Sequence, residues 1–394
     1  MENVVAVLIV GAGPSGLATS ACLSSLSIPH IILEKEDCDT SLWRKYTYDR
    51  VGLHLPKDMC SLPFAPHSPD APTFLSKDIF LEYVDNYVAR FNIRPRYNRN
   101  VTDARFDEEV QRWRVEAVNK EGDVEVYGAR FLVVATGEND IANLPEIDGL
   151  EGFKGEIVHS KYYKSGAKFE GKNVLVIGSG NSGMEIAFDL SNFGAHTSIV
   201  VRSPIHVISK ELMRWGFKSL QVFPVSMVDR VLTFASKMEM GDLSKYGVQR
   251  PSKGPLYIKS TTGRTPVLDV GTVAKIHSGD IKVFPAINKF DENIVKFSNG
   301  SKQEFDAIVL ATGYKSGASG WLKDYHYMFN ADGTPIRKFP DQWKGENGIY
   351  CGGMAKMGLF GISKDAKLIA NDIHTILAKE EFFQSDQTEL ELEL

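Results

Sequence analysis

The chain has 394 residues, of which 43% are hydrophobic and 24% are charged, and these proportions are typical of a globular protein with two or three domains. Its formal net charge of −5 gives no overall attraction for nucleic acid, and no apolar stretch approaches the ~20 residues that cross a bilayer. The four cysteines form no C-x-x-C pair, which argues against structural zinc and a redox-active disulfide, so we expect a cytoplasmic chain without a bound metal.

The first predicted element is a β-strand–α-helix–β-strand unit at the N-terminus. Seven apolar residues, Val4 to Val10, precede the turn Gly11-Ala12-Gly13-Pro14-Ser15-Gly16, after which a helical pattern leads to a second strand, Ile31 to Leu33. The glycines of a G-x-G-x-x-G turn let the backbone approach a pyrophosphate at the helix N-terminus. Glu34 lies about 20 residues further on, where a carboxylate binds a ribose hydroxyl. The pattern predicts an adenine-dinucleotide site.

An irregular segment follows, from Cys38 to Phe74, which is rich in proline, aromatic residues and histidine. Long segments without periodicity are usually functional, so we expect this one beside the reactive end of the dinucleotide. A helix is predicted over Asp78 to Phe91, followed by strands at Val101–Phe106, Trp113–Val118 and Val124–Tyr127.

Two later strands end in the same three residues. Arg130–Val134 is followed by Ala135-Thr136-Gly137, and Ile308–Leu310 is followed by Ala311-Thr312-Gly313. Small residues at the carboxyl edge of a parallel strand let a cofactor or a crossing chain come close. The recurrence favours this interpretation over two ordinary strand ends.

The opening pattern also recurs in the second half of the chain. The strand Asn173–Ile177 enters Gly178-Ser179-Gly180-Asn181-Ser182-Gly183, a helix follows, and a second strand, Ser198–Val201, ends at Arg202. A guanidinium suits a 2′-phosphate, whereas a carboxylate suits a free 2′-hydroxyl. This second site is therefore predicted to prefer NADP over NAD, with Ser203 assisting, unless Arg202 only faces solvent.

The stretch from Glu211 to Met240 is helix-prone and carries many apolar residues. Such a stripe more often covers a core or roofs a pocket, although a membrane-surface helix is an alternative. Short strands within Lys253–Phe297 complete the second domain.

The first domain is predicted to resume near Phe305 and to end with a glycine-rich turn and the helix Asp365–Leu377, followed by an acidic tail. The fold class is α/β, with two Rossmann-like dinucleotide-binding domains, one inserted in the other. The predicted domains are 1–160 with 305–380 for the first, 168–304 for the second, and a disordered tail over 381–394.

Two dinucleotide sites of opposite 2′ preference have an obvious chemical use. One would bind FAD, and the other would deliver a hydride from NADPH to the flavin. Without a redox cysteine pair, the residues alone leave O2, a quinone or a protein as the electron acceptor.

Residues 153–163 resemble a family motif. Phe153, Gly155, His159 and Tyr163 fit the F-x-G-x-x-x-H-x-x-x-Y pattern of class B flavin-dependent monooxygenases, whose Baeyer–Villiger branch has Trp where this chain has Tyr163. Longer stretches, such as SLWRKYTYDRVGLHLPK and FDAIVLATGYKS, are similar to the plant YUCCA flavin monooxygenases, which are indole-3-pyruvate monooxygenases. The resemblance runs from about residue 5 to residue 378.

The resemblance implies two sets of cofactor-binding residues. The FAD set comprises Gly11, Ala12, Gly13, Pro14, Ser15, Gly16, Glu34, Lys35, Leu42, Trp43, Thr136 and Gly137. The NADPH set comprises Gly178, Ser179, Gly180, Asn181, Ser182, Gly183, Arg202, Ser203, Thr312 and Gly313. The motif residues His159 and Tyr163 would lie at the interdomain linker and couple NADPH binding to domain geometry rather than transfer protons.

Two positions depart from the wider family pattern. His54 stands where many flavin monooxygenases have Asn beside the flavin C4a, so it either titrates in catalysis or only packs there. Residues 354–358 differ from the TKRG sequence of typical members, which bears on the substrate.

The implied reaction uses NADPH and O2 to convert indole-3-pyruvate to indole-3-acetate and CO2, through a C4a-(hydro)peroxyflavin. One alternative is an S- or N-oxygenating flavin monooxygenase that acts on a soft heteroatom. Another is a redox sensor that signals through NADPH-dependent conformation. The implied partners are therefore a small 2-keto acid and O2, with no nucleic acid and an open oligomeric state.

Overall fold

The structure is a computed structural model that describes residues 3–323, 326, 328–331 and 333–392, with side chains described as far as residue 380. The chain divides into two compact units. Unit 1 comprises Met1–Lys45, Pro56–Ile141 and Tyr314–Leu394. Unit 2 comprises Tyr46–Leu55 and Ala142–Gly313.

Ser76 caps one of the α-helices, because its hydroxyl accepts a hydrogen bond from the backbone N–H of Ile79. The helices are α1 Pro14–Ser25, α2 Ser41–Lys45, α3 Lys77–Arg90, α4 Asn181–Asn192, α5 Lys210–Ser219, α6 Val225–Met240, α7 Pro255–Thr262, α8 Thr272–Ser278, α9 Ala318–Trp321 and α10 Gly358–Leu392.

The β-strands are mostly short. They are β1 Asn3–Val10, β2 His30–Leu33, β3 Asn100–Asp107, β4 Arg112–Val118, β5 Val124–Val134, β6 Ile141–Ala142, β7 Glu156–His159, β8 Asn173–Ile177, β9 His196–Val200, β10 Val207–Ser209, β11 Val267–Asp269, β12 Ile281–Phe284, β13 Ile287–Asp291, β14 Ile294–Phe297, β15 Lys302–Glu304, β16 Ala307–Leu310, β17 Tyr314–Lys315 and β18 Ile349–Cys351.

Unit 1 is built on a six-stranded sheet in the order β2-β1-β5-β4-β3, with β18 also paired to β5. The strands β2, β1, β5 and β18 run parallel, whereas β3 and β4 form an antiparallel meander with the first half of β5. The residues Val7 to Val10 of β1 are buried, as a central parallel strand requires, and α1 packs against α10 beside the sheet. The parallel strands therefore present one carboxyl edge, where the first glycine turn begins.

Unit 2 repeats this plan with a five-stranded parallel sheet in the order β12-β9-β8-β16-β7. An antiparallel sheet of β13, β14 and β15 packs Phe290 and Phe297 into a second core with Leu175 and Ile308. The central position of β8 places the second glycine turn at the carboxyl edge of this sheet.

A helical layer of α5, α6 and α7 completes unit 2. The helix-prone stretch from Glu211 to Met240 falls in two helices, because α5 ends at Ser219 and α6 starts directly after Pro224. One side of this layer buries Met213, Val228, Leu232 and Leu256 together with the β10–β11 pair, so the prediction that the stretch covers a core is confirmed.

The limits of the two units differ from the domain limits that the sequence predicts. Strand β16, expected in the first domain, pairs in parallel with β8 and β7 and has all four residues buried in unit 2. Strand β7, placed before residue 160 in the first domain, belongs to the same sheet. A buried parallel strand needs a partner on each side, and β8 obtains its second partner only from the chain beyond residue 305.

Two other predicted elements are longer in the structure. Val124–Tyr127 and Arg130–Val134, predicted as two strands, form the single strand β5, because Gly128 and Ala129 continue the pairing with β4 and β1. Helix α10 extends beyond the predicted end at Leu377. The acidic tail predicted over 381–394 falls where no side chains are described, and residues 393 and 394 lie outside the described residues, so its disorder stays a prediction. Within the described range, no helix combines the length and apolar character needed to cross a membrane.

Candidate functional site

The first glycine turn joins β1 to α1 and uses each of its three glycines differently. A Cβ on Gly11, whose φ is +107°, would lie 2.6 Å from the carbonyl oxygen of Ala135, and a Cβ on Gly16 would lie 1.9 Å from that of Gly11. These two glycines let strand, turn and helix pack closely. A Cβ on Gly13, by contrast, would meet nothing within 4 Å in the structure. The middle of the turn therefore faces open space at the N-terminus of α1, where a phosphate would lie.

The carboxylate of Glu34 is hydrogen-bonded to the backbone of this turn. It accepts hydrogen bonds from the backbone N–H of Ala12 at 2.6 Å and from that of Glu36 at 3.0 Å. Burial raises the pKa of Glu34, and these backbone donors partly offset that rise. Each carboxylate oxygen can accept one more hydrogen bond, for example from a ribose hydroxyl. The sequence did not reveal that Glu34 also holds the turn itself.

Three hydroxyl groups of unit 1 are buried beside this turn without a partner among the described residues. They are Ser15 Oγ, Thr40 Oγ1 and Thr136 Oγ1. Thr40 is fixed there because its backbone N–H donates to the carbonyl oxygen of Ala12 at 2.9 Å. Buried hydroxyls are normally hydrogen-bonded, so three unpaired ones around an open glycine turn fit a ligand rich in oxygen, such as a dinucleotide diphosphate. Thr40 was missed by the sequence analysis.

The other residues assigned to the first site are placed as follows. Lys35 forms an ion pair with Asp140 at 2.5 Å, so its ammonium group is already engaged. Leu42 and Trp43 lie half-buried on α2, and Trp43 packs its ring 4.8 Å from that of Phe80. Gly137 has a φ of +81° and open space around its Cβ position.

The second glycine turn, between β8 and α4, repeats the first turn closely. A Cβ on Gly178 would lie 2.3 Å from the carbonyl oxygen of Ala311, one on Gly183 would lie 1.9 Å from that of Gly178, and one on Gly180 would meet nothing within 4 Å. The Ala-Thr-Gly sequence that ends β16 thus packs against the second glycine turn, as the one that ends β5 packs against the first. The second turn therefore has the same open centre at a helix N-terminus.

The residues around the second turn differ from those around the first turn in their hydrogen bonds. Thr312 Oγ1 donates to the Asn143 carbonyl oxygen at 2.6 Å, whereas Thr136 in unit 1 has no such partner. Asn181 accepts a hydrogen bond from the backbone N–H of Leu268 at 2.8 Å, so its side chain fixes β11. The side chains of Thr312 and Asn181 thus already form hydrogen bonds within the protein.

Arg202 follows β9 at the carboxyl edge of the sheet of unit 2 and is exposed, with Ser203 half-buried beside it. Within the described part of the chain, no carboxylate lies within ion-pair distance of its guanidinium. Ser179 and Ser182 are half-buried in the turn, and Ser182 is hydrogen-bonded to Tyr48. Arg202 therefore remains available for an anionic ligand.

The motif residues 153–163 connect elements of unit 2 through close packing and hydrogen bonds. A Cβ on Gly155 would lie 2.2 Å from the Asp306 carbonyl oxygen and would strike the ring of Phe153. His159 Nδ1 accepts from the backbone N–H of Lys161 at 3.1 Å, so Nε2 carries the proton and donates to the Gly313 carbonyl oxygen at 3.1 Å. Burial lowers the pKa of His159, which favours this neutral form.

Tyr163 forms a second connection within unit 2, to helix α4. Its hydroxyl donates to Asp189 Oδ2 on α4 at 2.7 Å, and the same oxygen accepts from the backbone N–H of Gly166 at 2.8 Å. Burial, followed by the hydrogen bond to Asp189, raises the pKa of Tyr163 above its ordinary value. His159 and Tyr163 are thus neutral and hydrogen-bonded within unit 2, and their predicted coupling of NADPH binding to domain geometry stays a prediction.

His54 belongs to unit 2 through a buried carboxylate on α4. Its Nε2 lies 3.0 Å from Glu185 Oε1, and the hydroxyl of Tyr48 donates to Glu185 Oε2 at 2.7 Å. Burial raises the pKa of Glu185, but the hydrogen bonds from His54 and Tyr48 and the nearby charge of Lys210 outweigh it, and the pKa is lowered. Glu185 is only 3% exposed. The sequence analysis missed Glu185, although an acid among the buried residues Met184, Ile186 and Ala187 was a usable signal.

The segment that departs from the family pattern at 354–358 is partly a core element. Met354 is 4% exposed and packs in the main core of unit 1 with Cys351 and Ile349. Its side chain therefore contributes to packing, and the bearing of this segment on the substrate stays a prediction. Within the described residues, no group of three His, Cys, Asp or Glu side chains is arranged to hold a metal.

Two parallel α/β units, each with an open glycine turn, define an α/β protein built for two dinucleotides. Residues 4–324 match the family described as flavin-binding monooxygenase-like. The chain therefore belongs to the flavin-binding monooxygenase-like family.

Curated relatives match nearly the whole chain. One is a probable indole-3-pyruvate monooxygenase, YUCCA10 of Arabidopsis thaliana, with 54% identity over 96% of this chain and 99% of the relative. Another is the indole-3-pyruvate monooxygenase YUCCA6 of the same plant, with 47% identity over 95% and 91%. Among solved structures, an oxidized steroid monooxygenase bound to NADP has a TM-score of 0.75 at 19% identity, covering 95% of this chain and 85% of that one. The last likeness shows the shared fold.

Proposed function

We propose that this chain is an FAD- and NADPH-dependent monooxygenase that converts indole-3-pyruvate to indole-3-acetate. The observation that carries the proposal is the 54% identity to a probable indole-3-pyruvate monooxygenase over 96% of the chain. In the balanced reaction, NADPH and a proton supply two electrons and two hydrogens. One oxygen atom of O2 enters the indole-3-acetate and the other leaves as water, while the carboxyl group of the 2-keto acid leaves as CO2.

Unit 1 would hold FAD, which supplies hydride acceptance and oxygen activation when it is bound. Gly13 leaves room for the diphosphate, and the unpaired hydroxyls of Ser15, Thr40 and Thr136 are suited to donate hydrogen bonds to its oxygens. Glu34 would accept from the ribose while it holds the turn. The residues suited to the diphosphate and ribose of FAD thus lie in unit 1.

Unit 2 would hold NADPH at the second glycine turn. The open position at Gly180 leaves room for its diphosphate, and the exposed Arg202 supplies a charge for its 2′-phosphate, with Ser203 beside it. Glu34 comes directly after β2 and Arg202 comes two residues after β9, and this contrast of charge beyond corresponding strands supports opposite 2′ preferences for the two units.

Of the side chains that this chain contributes, His54 would be the one nearest the reacting groups. Its Nε2 is held by Glu185, so the ring has a fixed orientation that leaves Nδ1 as the nitrogen to hydrogen-bond a ligand. We propose this role for His54 and a positioning role for His159 and Tyr163.

The proposal extends to location and partners. The four cysteines are free thiols in the described chain, and three of them are buried, which suits a reducing cytoplasm. The partners would be the 2-keto acid and O2.

The test is a product analysis of the purified, flavin-loaded protein supplied with NADPH and O2. With indole-3-pyruvate, we expect indole-3-acetate and CO2 in equal amounts, and one NADPH oxidised for each. A parallel assay supplies a thioether and a tertiary amine. Oxygen insertion into either, without CO2 release from the keto acid, would replace this proposal by an S- or N-oxygenating activity. NADPH oxidation that yields only H2O2 with every substrate would also contradict it.

A further inference from the structure

Helix α6 of unit 2 has two apolar faces, although only one of them packs on the protein. Val228 and Leu232 face inward and are buried in the core of the helical layer. Met227, Phe234 and Met238 are 47%, 68% and 71% exposed. With Val231, they follow the spacing that puts residues on one side of a helix. A surface helix normally carries polar residues on this side, so the outer face of α6 is exceptional.

Exposed apolar side chains also lie on the elements next to α6. Val222, Phe223 and Val225, in the turn before the helix, are 77%, 46% and 47% exposed. Trp215 on α5 and Tyr257 on α7 are 44% and 48% exposed. We call these residues and the outer face of α6 the α5–α7 surface. Large aromatic rings at the edge of an apolar patch are typical of a layer that meets the lipid headgroup region.

The same part of the chain is strongly cationic. Residues 210–264 contain ten Lys or Arg and four Asp or Glu, a net charge of +6, in a chain whose total is −5. Asp229, one of the four acids, is buried and accepts hydrogen bonds from the backbone N–H groups of Leu256 and Tyr257. Arg230 and Lys237 are exposed on α6, and Lys253 is exposed before α7. Exposed Arg230 and Lys237 thus lie along one side of the apolar stripe of α6, in a segment whose net charge is positive.

We propose that the α5–α7 surface binds the headgroup layer of an anionic phospholipid bilayer. The apolar stripe would enter the layer, and the flanking Lys and Arg side chains would extend to the lipid phosphates. The contact is interfacial and needs no membrane-spanning helix. A second copy of the chain fits less well, because a two-fold dimer through this surface would place two cationic patches against each other.

The test is co-flotation of the full-length, flavin-loaded protein with lipid vesicles at physiological salt. We expect binding to vesicles of phosphatidylcholine mixed with phosphatidylserine, and at least about tenfold weaker binding to phosphatidylcholine alone. The double variant Phe234→Ser/Met238→Ser should lose about tenfold in binding to the anionic vesicles, since it removes the two most exposed side chains of the α6 stripe. The double variant Arg230→Glu/Lys237→Glu should lose at least that much.

Matched controls separate this surface from general effects. Val110→Ser removes an apolar side chain that is 60% exposed in unit 1, and Lys282→Glu/Lys289→Glu reverses two exposed charges of unit 2 outside the helical layer. Both should bind anionic vesicles like the parent chain, and all variants should keep the parent melting temperature. Failure of the parent chain to bind anionic vesicles would overturn the proposal. Unchanged binding of Phe234→Ser/Met238→Ser would overturn it as well, as would a dimer in sedimentation that this variant abolishes.

Discussion

Removing the Glu185 carboxylate should destabilise unit 2 substantially. Glu185 accepts from the Tyr48 hydroxyl at 2.7 Å and pairs with His54 at 3.0 Å, while only 3% of it is exposed. Glu185→Ala leaves a buried hydroxyl without an acceptor and opens a cavity in the helix that carries the second glycine turn. Truncating a buried side chain and leaving a buried hydroxyl without its acceptor together typically cost about 3–5 kcal/mol of unfolding free energy. We expect that loss here, with a melting transition lower by roughly 10 °C.

The assay is thermal and urea unfolding of the parent, Glu185→Ala and Glu185→Gln. The amide of Glu185→Gln keeps one acceptor oxygen, so its loss should be about 1–2 kcal/mol. Glu304→Ala, which removes an exposed carboxylate of the same unit, serves as the control and should change stability by less than about 0.5 kcal/mol.

The pH dependence gives a second readout of the same network. Because folding lowers the pKa of Glu185, its contribution is present above the unfolded pKa and is lost as the pH falls through the folded one. The stability gap between the parent and Glu185→Gln should therefore be largest near neutral pH and should close in acid. If Glu185→Ala melts like the Glu304→Ala control, or if the gap does not change with pH, the reasoning is refuted.

Three further predictions concern the two units separately. Folding raises the pKa of Asp365 to about 6, mainly through burial, so its charged form is less favourable folded than unfolded and stability should fall as the pH rises from about 4 to 6. Asp365→Asn should remove that fall in urea unfolding over the same pH range, whereas an equal pH slope in the variant would contradict it. Gly13→Val should fold but purify without flavin, since its Cβ meets open space, whereas Gly16→Ala should fail to fold because its Cβ would strike the Gly11 carbonyl oxygen. A flavin-loaded Gly13→Val would count against the first site. Arg202→Ala should raise the KM for NADPH about 10- to 100-fold with little change for NADH, as expected for a lost charge-assisted contact, and equal losses with both nucleotides would remove this assignment.

The sequence predicted the two turns well because their signal is local. A buried strand, three glycines at fixed spacing and a helix determine the geometry without help from the rest of the chain, and Gly11 and Gly178 match in φ to within a few degrees, at +107° and +114°. The Ala-Thr-Gly sequences were also correctly noticed as a pair, because each lies against the first glycine of one turn.

The limits between the units were harder to predict because they depend on strand order. The sequence of β16 is equally suited to either parallel sheet, and only its pairing with β8 and β7 assigns it to unit 2. Glu185 and Thr40 were missed for a related reason. Their partners, His54 and Ala12, lie far away in sequence, so burial of a polar side chain becomes informative only once the fold is known.

The central claim is that one chain binds a flavin in unit 1 and a reduced nicotinamide in unit 2 and passes electrons between them. The most direct measurement is the visible absorption of the purified protein under anaerobic conditions, before and after stoichiometric NADPH and, separately, NADH. The account predicts a yellow protein whose flavin absorbance is bleached faster by NADPH than by NADH and returns when O2 is admitted. A protein that stays colourless after incubation with FAD, or a bound flavin that NADPH leaves oxidised, would contradict it.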